Sequence, residues 1–498
     1  MISFEAIKLK KISPSDREFV RKVRNQSSSR TASFQSSFVK KDEHQIWFNR
    51  TLKDTTQLFF TIERKEKPAK IGTLRMNRIN SNTAEIHIAL LENQQGKGYG
   101  SEAIQAALQK VKDLGKHVHQ IVAHIKTTNP ASIHLFKKHG FTAHNRCIHL
   151  GHSQTCVTLS WEQRNVLFVV DLGKQIGLGH LMREKTLSES LGRLGHKSLF
   201  FIRENRSERI HYRSFLNQLG LHSISENQLK SLVQKKQIHC VIIDTLQLPS
   251  LNLIDSFMDQ NIPIALIGNY LKIPSWASLC FNPYTQPQIV SKKTRCYLSP
   301  KYSIVSPVFQ SETPFTVRDK AKQLFILPGG GNTDGMIFKI LEALKNLPRS
   351  IKMDVVVGKM FTHDQKLRSS LGQHSKVIRL WKNISSEKIA DLMNKSDLAI
   401  LSYGRSLDEA RSLRVPALIL SSSDLNRSGA LHAEKQGGIR YIGDIRHLTP
   451  EMIRKKVTTV LANVQLRRRL SQKSSQLMDA KGVERVASIL INSMSVKS

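Results

Sequence analysis

The chain has little that would mark it as secreted or membrane-embedded. Its 498 residues include only five cysteines, with no C-x-x-C pair, so the spacing predicts neither a zinc ribbon nor a disulfide scaffold. No apolar run approaches the roughly 18 residues that a membrane-spanning helix needs. The first residues, MISFEAIKLKK, lack the apolar core of a signal peptide. We therefore expect a cytoplasmic protein.

Acidic residues are scarce relative to basic ones. Lys and Arg number 76 against 39 Asp and Glu, which gives a formal net charge of +37. Such a charge permits binding to nucleic acid, to an anionic membrane surface or to anionic small substrates. Aromatic residues make up only 6% and do not interleave with the basic runs, which disfavours stacking on single strands. We expect no specific nucleic-acid partner, and peripheral association with an anionic membrane stays open.

The apolar pattern changes character after residue 162. Before it, alternating strands such as 57–64 and 84–91 mix with amphipathic helices, which is typical of an α+β unit. From NVLFVVD (165–171) onward, continuous apolar strands alternate with helices, as in parallel sheets buried on both faces. The sequence therefore predicts a multidomain α/β protein with an α+β domain at 1–162 and two doubly wound α/β domains at 163–315 and 316–498.

A glycine loop lies between a predicted strand and a predicted helix of the first domain. Its residues are Gln95, Gly96, Lys97, Gly98, Tyr99 and Gly100. Glycines let the backbone approach a pyrophosphate, and N–H groups at a helix start point at its oxygens. Downstream comes NPASIHLFKKHGF (129–141). The two motifs, Q-x-x-G-x-G and N-x-x-S-x-x-x-F-x-K-x-G-F, resemble the GNAT acetyltransferases in order and spacing.

The resemblance implies a GNAT fold that uses acetyl-CoA as donor. Gln95 through Gly100 would bind this co-substrate, and Asn129 would lie near its thioester. Upstream residues resemble, more closely, the GNATs that acetylate the 4-amino group of a UDP-amino sugar in pseudaminic acid synthesis. These residues are Arg24, Asn25, Arg30, Glu43, His44, Trp47 and Phe48. His44 and Trp47 would line the sugar site, unless they belong to a helix that packs into the core.

The chemistry of the first domain depends on two further positions. Many GNATs carry Tyr where Phe136 stands, to protonate the departing thiolate. Because Phe cannot donate a proton, another group or water must do so. Glu85, on the strand before the glycine loop, is the candidate catalytic base and would act through water on the substrate ammonium. The alternative for Glu85 is an ordinary strand-edge carboxylate.

A second glycine loop, QIGLGHLMR (175–183), follows the strand that ends at Asp171. The helix after it begins near His180, where an imidazole is disfavoured as a cation. A neutral imidazole at the mouth of a cleft suits a general base. Arg183, one turn later, shares the face of His180. The alternative is a histidine that merely packs on a tight loop.

The series D-x(5)-G-x-G-H-x-x-R resembles the hydrolases of UDP-2,4-diacetamido-2,4,6-trideoxy-β-L-altropyranose, the next step of the same pathway. These enzymes are relatives of GT-B glycosyltransferases. The resemblance implies a GT-B-like pair of domains, a water activated by His180 that attacks the anomeric carbon, and no metal. It implies Glu409 on the uridine ribose and a substrate-binding set of Asp171, Gly177, Gly179, Arg183, Tyr302, Gly330, Gly331, Gly404, Ser406 and Glu409.

Five positions depart from the hydrolase pattern. Leu246 stands in place of a Tyr, Gly268-Asn269 in place of a paired Asp, Ser306 in place of an Arg, and Asp424 begins the altered Asn-Gln pair. These positions belong to the expected sugar-contacting set, so the resemblance implies UDP binding but does not establish the sugar identity or turnover.

The leading hypothesis is a bifunctional enzyme. It would acetylate a UDP-4-amino-4,6-dideoxy sugar with acetyl-CoA and then release UDP from the diacetamido product, in nonulosonic acid synthesis. One alternative is a GT-B glycosyltransferase for a lipid-linked acceptor, which predicts an exposed apolar patch in the first α/β domain. Another is a degenerate UDP-sugar-binding module fused to the acetyltransferase.

Overall fold

The computed structural model describes most of the chain, in two compact units. The described residues are 6–115, 117–148, 155–172, 178–203, 216–221, 223–283, 287–289, 291–310, 315–328, 334–358, 361, 363–371 and 377–494. Unit 1 comprises 1–165, 189–197 and 488–498, and unit 2 comprises 166–188 and 198–487. The predicted boundary at residue 162 lies close to the end of the first segment. The three-domain division stays a prediction.

Unit 1 is built on one mixed sheet. Its described strands are β1 Ile7–Lys11, β2 Gln57–Arg64, β3 Lys70–Arg78, β4 Thr83–Leu90, β5 Gln120–Lys126, β6 Thr142–Ile148 and β7 Thr155–Glu162. The order is β1-β2-β3-β4-β5-β7-β6. Neighbours pair antiparallel, except that β4 pairs with β5 in parallel.

Helices cover this sheet because their apolar residues recur at helical spacing. They are α1 Arg17–Asn25, α2 Ser27–Ala32, α3 Lys41–Lys53, α4 Tyr99–Gln109 and α5 Pro130–Lys138. In α4, Ala103, Ile104, Ala107 and Leu108 form one buried stripe. They pack with strand residues such as Leu74 into a single core. The helix predicted after the glycine loop is therefore confirmed as α4 and ends at Gln109, beyond which Val111–Leu114 form a 3-10 turn.

The first sheet of unit 2 extends from residue 165 to residue 297. Its strands are β8 Asn165–Asp171, β9 Lys197–Arg203, β10 Cys240–Asp244, β11 Ile264–Ile267, β13 Leu279–Phe281 and β15 Arg295–Tyr297. A separate short pair consists of β12 Lys272–Ile273 and β14 Gln288–Ile289. The helices are α6 Gly179–Arg193, α7 Glu226–Gln234 and α8 Leu251–Met258. The strand order is β9-β8-β10-β11-β13-β15, so the chain turns back across β8.

The second sheet of unit 2 contains β16 Gln323–Leu327, β17 Lys352–Val357, β18 Ile378–Lys382, β19 Leu398–Ser402, β20 Ala417–Ser421 and β21 Ile439–Asp444. The order is β18-β17-β16-β19-β20-β21, and all of these pairs are parallel. The helices are α9 Asp334–Leu344, α10 Asp364–Leu371, α11 Ser386–Asn394, α12 Arg405–Leu413, α13 Asp424–Gln436, α14 Pro450–Ala462, α15 Val464–Leu477 and α16 Gly482–Met494.

Both sheets of unit 2 reverse their strand order once. The reversal lies between β8 and β10 in the first sheet and between β16 and β19 in the second. In open parallel sheets, ligands bind outside the carboxyl ends of the strands at such a reversal, because the loops on either side diverge there. These two points therefore define where unit 2 presents its candidate site.

Four of the five cysteines have a defined state, and one of these four is disulfide-bonded. Cys240, Cys280 and Cys296 are free, whereas Cys156, which stands opposite Cys147 in the β6–β7 register, is disulfide-bonded. The irregular spacing of the cysteines gave no sign of a disulfide, because strand pairing rather than sequence proximity places Cys156. Within the described part of the chain, no helix combines the length and apolarity required to cross a membrane.

Candidate functional site

The sheet of unit 1 opens between β4 and β5. Over the described residues, the two strands pair only where Thr83–Glu85 meets Gln120–Val122. Both strands continue beyond this point, to Leu90 and Lys126. The backbone edge of β4 after Glu85 thus lacks a strand partner and presents N–H and C=O groups that an extended ligand can pair with.

The glycine loop closes one end of this opening. Gly96 and Gly98 have φ values of +75° and +86°, which only glycine adopts readily, and a Cβ at either would meet no atom within 4 Å. Gly98 begins α4 without a side-chain cap, so the first N–H groups of the helix stay available to an anion. Gly100 has a different role, since a Cβ there would lie 3.2 Å from Leu135.

Helix α2 bridges the mouth of the opening. Gln26 Nε2 donates to the carbonyl of Leu90 at 3.4 Å, and Lys126 Nζ donates to that of Thr31 at 2.7 Å. Gln95, predicted to bind the co-substrate, donates through Nε2 to Ser28 Oγ at 3.2 Å. These contacts tie α2 to the ends of both diverging strands and to the glycine loop.

Two arginines, Arg24 in α1 and Arg30 in α2, are incompletely paired. Arg24 Nη1 and Arg30 Nε are buried and have no hydrogen-bond partner among the described residues. Burial, followed by the charge of Arg30, lowers the pKa of Arg24. Two such cations are costly to bury unless an anion joins them. Asn25 has a structural role, because its side chain exchanges two hydrogen bonds with the backbone of Val39.

Glu85 lies on β4 at the last paired position before the strands diverge. Its carboxylate contacts His87 Nε2 at 3.2 Å. Burial would raise its pKa, but His87, His124 and Arg75 outweigh burial and hold the pKa below the ordinary value. Arg75 is held in turn over the rings of Trp47 and Phe59. Glu85 is therefore an ionised carboxylate, able to accept a proton or to bind an ammonium.

The motif at 129–141 folds as α5 and its flanks. Asn129 caps this helix, with Oδ1 accepting from Ser132 N at 3.1 Å. Phe136 is buried edge-to-face on Phe141, so it belongs to the core. His139 contacts Ser101 Oγ at 2.7 Å, and burial lowers its pKa to about 4, which keeps it neutral.

The interpretation of His44 as a wall of the sugar site is wrong. His44 is 2% exposed and stacks on Phe48, and burial lowers its pKa. The alternative, a helix that packs into the core, is the one that α3 adopts at this position. Trp47 is 36% exposed and lies beneath Arg75, so it can still contact a ligand.

In unit 2, His180 belongs to a buried ion network at the strand reversal of the first sheet. Asp244, the last residue of β10, lies at 2.5 Å from His180 Nδ1. Arg183 reaches both oxygens of Asp244, with Nε at 2.9 Å and Nη2 at 2.6 Å. Since an ionised carboxylate only accepts, Nδ1 of His180 donates to Asp244, and Nε2 is the ring nitrogen that does not contact Asp244. Asp244 was not among the predicted site residues.

The electrostatics of this network favour a fixed, ionised Asp244. Burial would raise the pKa of Asp244, but Arg183 and His180 hold it well below the ordinary value. Glu184 is fully buried next to it, and burial together with the charge of Asp244 raises the pKa of Glu184 well above its usual range. The network thus places two buried acidic side chains with oppositely shifted pKa values beneath an imidazole that is 23% exposed.

Tyr403 and Asp408, which follow β19 of the second sheet, interact with residues of the first sheet and of α6. Asn269 donates through Nδ2 to Tyr403 Oη at 2.7 Å. Burial raises the pKa of Asp408 to about 7, although Arg411 and Arg183 oppose the rise. Because Arg183 acts on Asp408, the networks at the carboxyl ends of both sheets are electrostatically coupled within unit 2. Asp408 lies in the stretch from Gly404 to Glu409 that resembles the hydrolases, but it was not among the predicted site residues, and neither was Tyr403.

Other predicted residues of unit 2 are placed as follows. Asp171 is buried and accepts from Leu246 N at 2.9 Å. Tyr302 packs edge-on against Tyr297 in an aromatic cluster. Glu409 is buried and lies 3.0 Å from Arg405.

The glycines and the serine of the predicted substrate-binding set lie at helix starts or outside the described residues. Gly179 begins α6, Gly404 precedes α12 without a side-chain cap, and Ser406 bonds the carbonyl of Ser402. Gly177, Gly330 and Gly331 lie outside the described residues. The substrate-binding roles of all these residues stay predictions.

Of the positions that depart from the hydrolase pattern, Gly268 lies against the ion network. A Cβ at Gly268 would lie 3.6 Å from Asp244 Oδ1 and 3.7 Å from Arg183 Nη2, in ordinary contact. Leu246 is 54% exposed just after β10, and Asp424 is exposed beside Arg446. Ser306 begins a 3-10 turn without a side-chain cap. The ion network is thus intact where its rim is altered.

Comparisons with known proteins can be placed on this geometry. Residues 7–142 match the acetyltransferase (GNAT) domain. The chain is 26% identical over 337 residues to the spore coat polysaccharide biosynthesis protein SpsG of Bacillus subtilis, covering 64% of this chain and 96% of SpsG. It is 22% identical over 280 residues to the uncharacterized protein MJ1062 of Methanocaldococcus jannaschii, covering 53% of this chain and 56% of that protein.

Solved structures match a smaller part of the chain. The spermidine N-acetyltransferase from Vibrio cholerae in complex with CoA and spermine is 22% identical, with 31% of this chain and 95% of that chain covered and a TM-score of 0.29. A domain from Methanocaldococcus jannaschii is 20% identical, with 32% and 99% covered and a TM-score of 0.28.

The chain therefore carries a GNAT acetyltransferase domain in its N-terminal part, within a mixed α/β multidomain fold. The prediction of an acetyltransferase is confirmed. The match to SpsG covers 64% of the chain and so extends well beyond residues 1–162. The chain is thus also similar to a protein of polysaccharide biosynthesis outside its acetyltransferase domain.

Proposed function

We propose that unit 1 transfers an acetyl group from acetyl-CoA to the 4-amino group of a UDP-4-amino-4,6-dideoxy sugar. The observation that carries this proposal is the opening between β4 and β5. Its free backbone edge suits the amide-bearing arm of CoA, and the space above Gly96 and Gly98 suits a pyrophosphate. The match of residues 7–142 to the GNAT domain supports the same assignment.

The proposed chemistry uses Glu85 as the base. Glu85 takes a proton from the substrate ammonium through a water molecule, the free amine attacks the thioester carbonyl, and the C–S bond breaks. The thiolate then takes a proton from water, because Phe136 is a buried hydrocarbon that cannot supply one. Asn129 acts mainly through its cap on α5, which fixes the helix beside the thioester.

The two incompletely paired arginines favour a sugar nucleotide over a polyamine as the substrate of unit 1. Arg24 and Arg30 would repel a polyamine and attract the diphosphate of a sugar nucleotide. We therefore expect CoA release with a UDP-4-amino sugar and none above background with spermidine. Arg24→Gln with Arg30→Gln should raise KM for the sugar nucleotide while leaving KM for acetyl-CoA unchanged. Preference for spermidine would contradict the assignment.

The second part of the proposal concerns unit 2, as a GT-B-like pair of domains that hydrolyses the UDP-diacetamido sugar. The His180–Asp244–Arg183 network is the observation that carries it. His180 Nε2 takes a proton from water, the water oxygen bonds to the anomeric carbon, and the bond to UDP breaks. The uncapped start of α12 after Gly404 supplies N–H groups for the departing diphosphate.

Order in the chain supports the two parts together. The acetylated product of unit 1 has the amide substituents that the hydrolase substrate requires, so one chain would catalyse consecutive reactions. The similarity to SpsG, a protein of polysaccharide biosynthesis, is consistent with a sugar as the common substrate. UDP release that is abolished by His180→Gln, with CoA release intact, would test unit 2 separately.

One observation favours a second candidate for unit 2. Leu246 and Leu248 are 54% and 37% exposed on the loop after β10, and Leu251, the first residue of α8, is 68% exposed. Three exposed leucines beside a candidate base suit an apolar acceptor, as in a glycosyltransferase for a lipid-linked sugar. The positive net charge would then attract an anionic membrane surface. Sugar transfer to a lipid phosphate, without hydrolysis, would establish this alternative.

A further inference from the structure

A cavity in unit 2 lies apart from the His180 network. Its volume is about 330 Å³, at the lower end of the range for small-molecule sites. Gln323, one of its lining residues, begins β16, and Lys395, another, precedes β19. The cavity therefore lies toward the amino ends of these strands, whereas the predicted nucleotide loops follow their carboxyl ends.

A buried carboxylate organises the floor of the cavity. Asp354 is 1% exposed, on a strand whose neighbouring inward residues are apolar. Arg379 donates to both of its oxygens, at 2.8 and 2.9 Å, and Trp381 Nε1 donates to it at 2.8 Å. Burying a carboxylate is costly unless it is fully hydrogen-bonded. Asp354 therefore fixes the positions of Arg379 and Trp381, both of which line the cavity.

Further cations form the rim. Lys388 Nζ lies 4.9 Å from the ring centroid of Trp381 and 3.5 Å from Asp391, and Lys395 also pairs with Asp391. Arg318 also lines the cavity, pairs with Asp397 and donates through Nη2 to the carbonyl of Lys395 at 2.9 Å.

The lining therefore carries an excess of positive charge. Four cations stand against three carboxylates, because Asp354 and Asp391 line the cavity and Asp397 pairs with Arg318. The basic side chains are 41% to 68% exposed, so they can reach a ligand from solvent.

We propose that this cavity binds the phosphoryl group of a small phosphorylated molecule, at a site separate from both reaction centres. Arg379 uses Nε and Nη2 on Asp354, which leaves Nη1 of a fixed guanidinium plane for a phosphate oxygen. Lys388 and Lys395 add mobile charges on the other side. The phosphate can belong to an organic monoester or be inorganic, since both present the same oxygens.

Isothermal titration calorimetry on the full-length chain tests this site. Inorganic phosphate and ribose 5-phosphate are the probes. The variant Lys388→Gln with Lys395→Gln removes two rim charges that contact only the partly exposed Asp391 and a ring, so folding should be unaffected. We expect saturable binding in the parent chain and binding weakened at least about tenfold in this variant.

A matched control comes from the same unit. Lys230 pairs with Glu226 at i,i+4 and Lys345 with Glu342 at i,i+3, as Lys395 and Lys388 do with Asp391. Lys230→Gln with Lys345→Gln removes the same charge and should bind like the parent chain. Tighter binding of ribose 5-phosphate would identify an organic phosphate, and equal binding phosphate itself. Absence of saturable binding, or equal weakening in both variants, would overturn the proposal.

Discussion

The candidate site of unit 1 is formed mainly by backbone groups, whereas that of unit 2 is formed by charged side chains. The opening in unit 1 is formed by strand backbone, a glycine loop and a helix start, with Glu85 as its main titratable side chain. The site in unit 2 is formed by a buried network in which Asp244 is held by His180 and Arg183. A backbone site depends on glycine conformations and tolerates many side-chain changes, whereas a buried ion network fails when one partner is removed.

The largest effect should follow from Asp244→Asn. The change leaves Arg183 uncompensated and releases the His180 tautomer, so UDP release should fall by about 10³- to 10⁴-fold. Breaking a buried pair also costs about 3–5 kcal/mol of unfolding free energy. CoA release by unit 1 should be unchanged. Kinetics of both products, together with urea unfolding, measure these effects.

Asp397→Asn provides the control for this change. Asp397 is equally buried and pairs with Arg318, but it has no contact with the His180 network. It should therefore destabilise unit 2 without loss of UDP release at low temperature. Equal loss of UDP release in both variants would mean that Asp244 acts through stability alone.

The next effect concerns the one important carboxylate of unit 1. Glu85→Gln should lower acetyl transfer by about 10²-fold, the usual contribution of a general base. Because His87 helps to hold the pKa of Glu85 low, His87→Gln should raise that pKa. A base must be ionised, so the acid limb of the rate profile, which lies below the ordinary pKa of Glu85 in the parent chain, should move to higher pH. An unmoved limb would remove Glu85 from the base role.

A smaller effect should follow from Gly98→Val. A side chain at φ +86° costs about 1–2 kcal/mol and points into the space assigned to the pyrophosphate. KM for acetyl-CoA should rise at least about tenfold, while UDP release stays constant. Gly220→Val serves as the control, since Gly220 has φ +67° and open space in unit 2. If both variants changed KM for acetyl-CoA alike, the loop assignment would be wrong.

Asp408→Asn should have the smallest effect on turnover. Its effect is measured instead as a change in how the free energy of unfolding depends on pH. Burial raises the pKa of Asp408 in the folded protein to about 7, from an ordinary value of 3.8. Its stabilising contribution is therefore complete below about pH 4 and is lost as pH rises through 7. At about 1.4 kcal/mol per pKa unit, the parent chain should lose up to about 4 kcal/mol over this window. The variant should lack this decline in thermal or urea unfolding, and an identical pH dependence would refute the assignment.

The difference between the two sites also explains which site residues could be predicted from the sequence. The glycine loop at 95–100 and the helix start after it are local features, so their spacing identified them. Arg183 is on the same helix as His180 and was predicted, whereas Asp244 lies 64 positions from His180 and only the parallel pairing of β8 and β10 brings it close. Distant pairing of this kind leaves no periodic signal.

The burial of individual side chains explains the other positions at which the predicted site and the structure differ. His44 carried a motif resemblance, yet α3 turns it inward onto Phe48. Its ring is as apolar as it is polar, so pattern alone could not separate a pocket wall from a core residue. The continuous apolar strands from residue 165 onward predicted doubly wound sheets, and both sheets of unit 2 have that topology.

The central claim is that one chain carries two separate reaction centres that act in sequence. Incubating the full-length chain and His180→Ala in parallel with a UDP-4-amino-4,6-dideoxy sugar and acetyl-CoA, while CoA and UDP release are followed together, tests it most directly. The account predicts that CoA appears first, that UDP follows, and that the variant releases CoA at the parent rate but no UDP. CoA release without UDP from the parent chain would contradict the claim, and would make unit 2 a transferase awaiting an acceptor or a binding module.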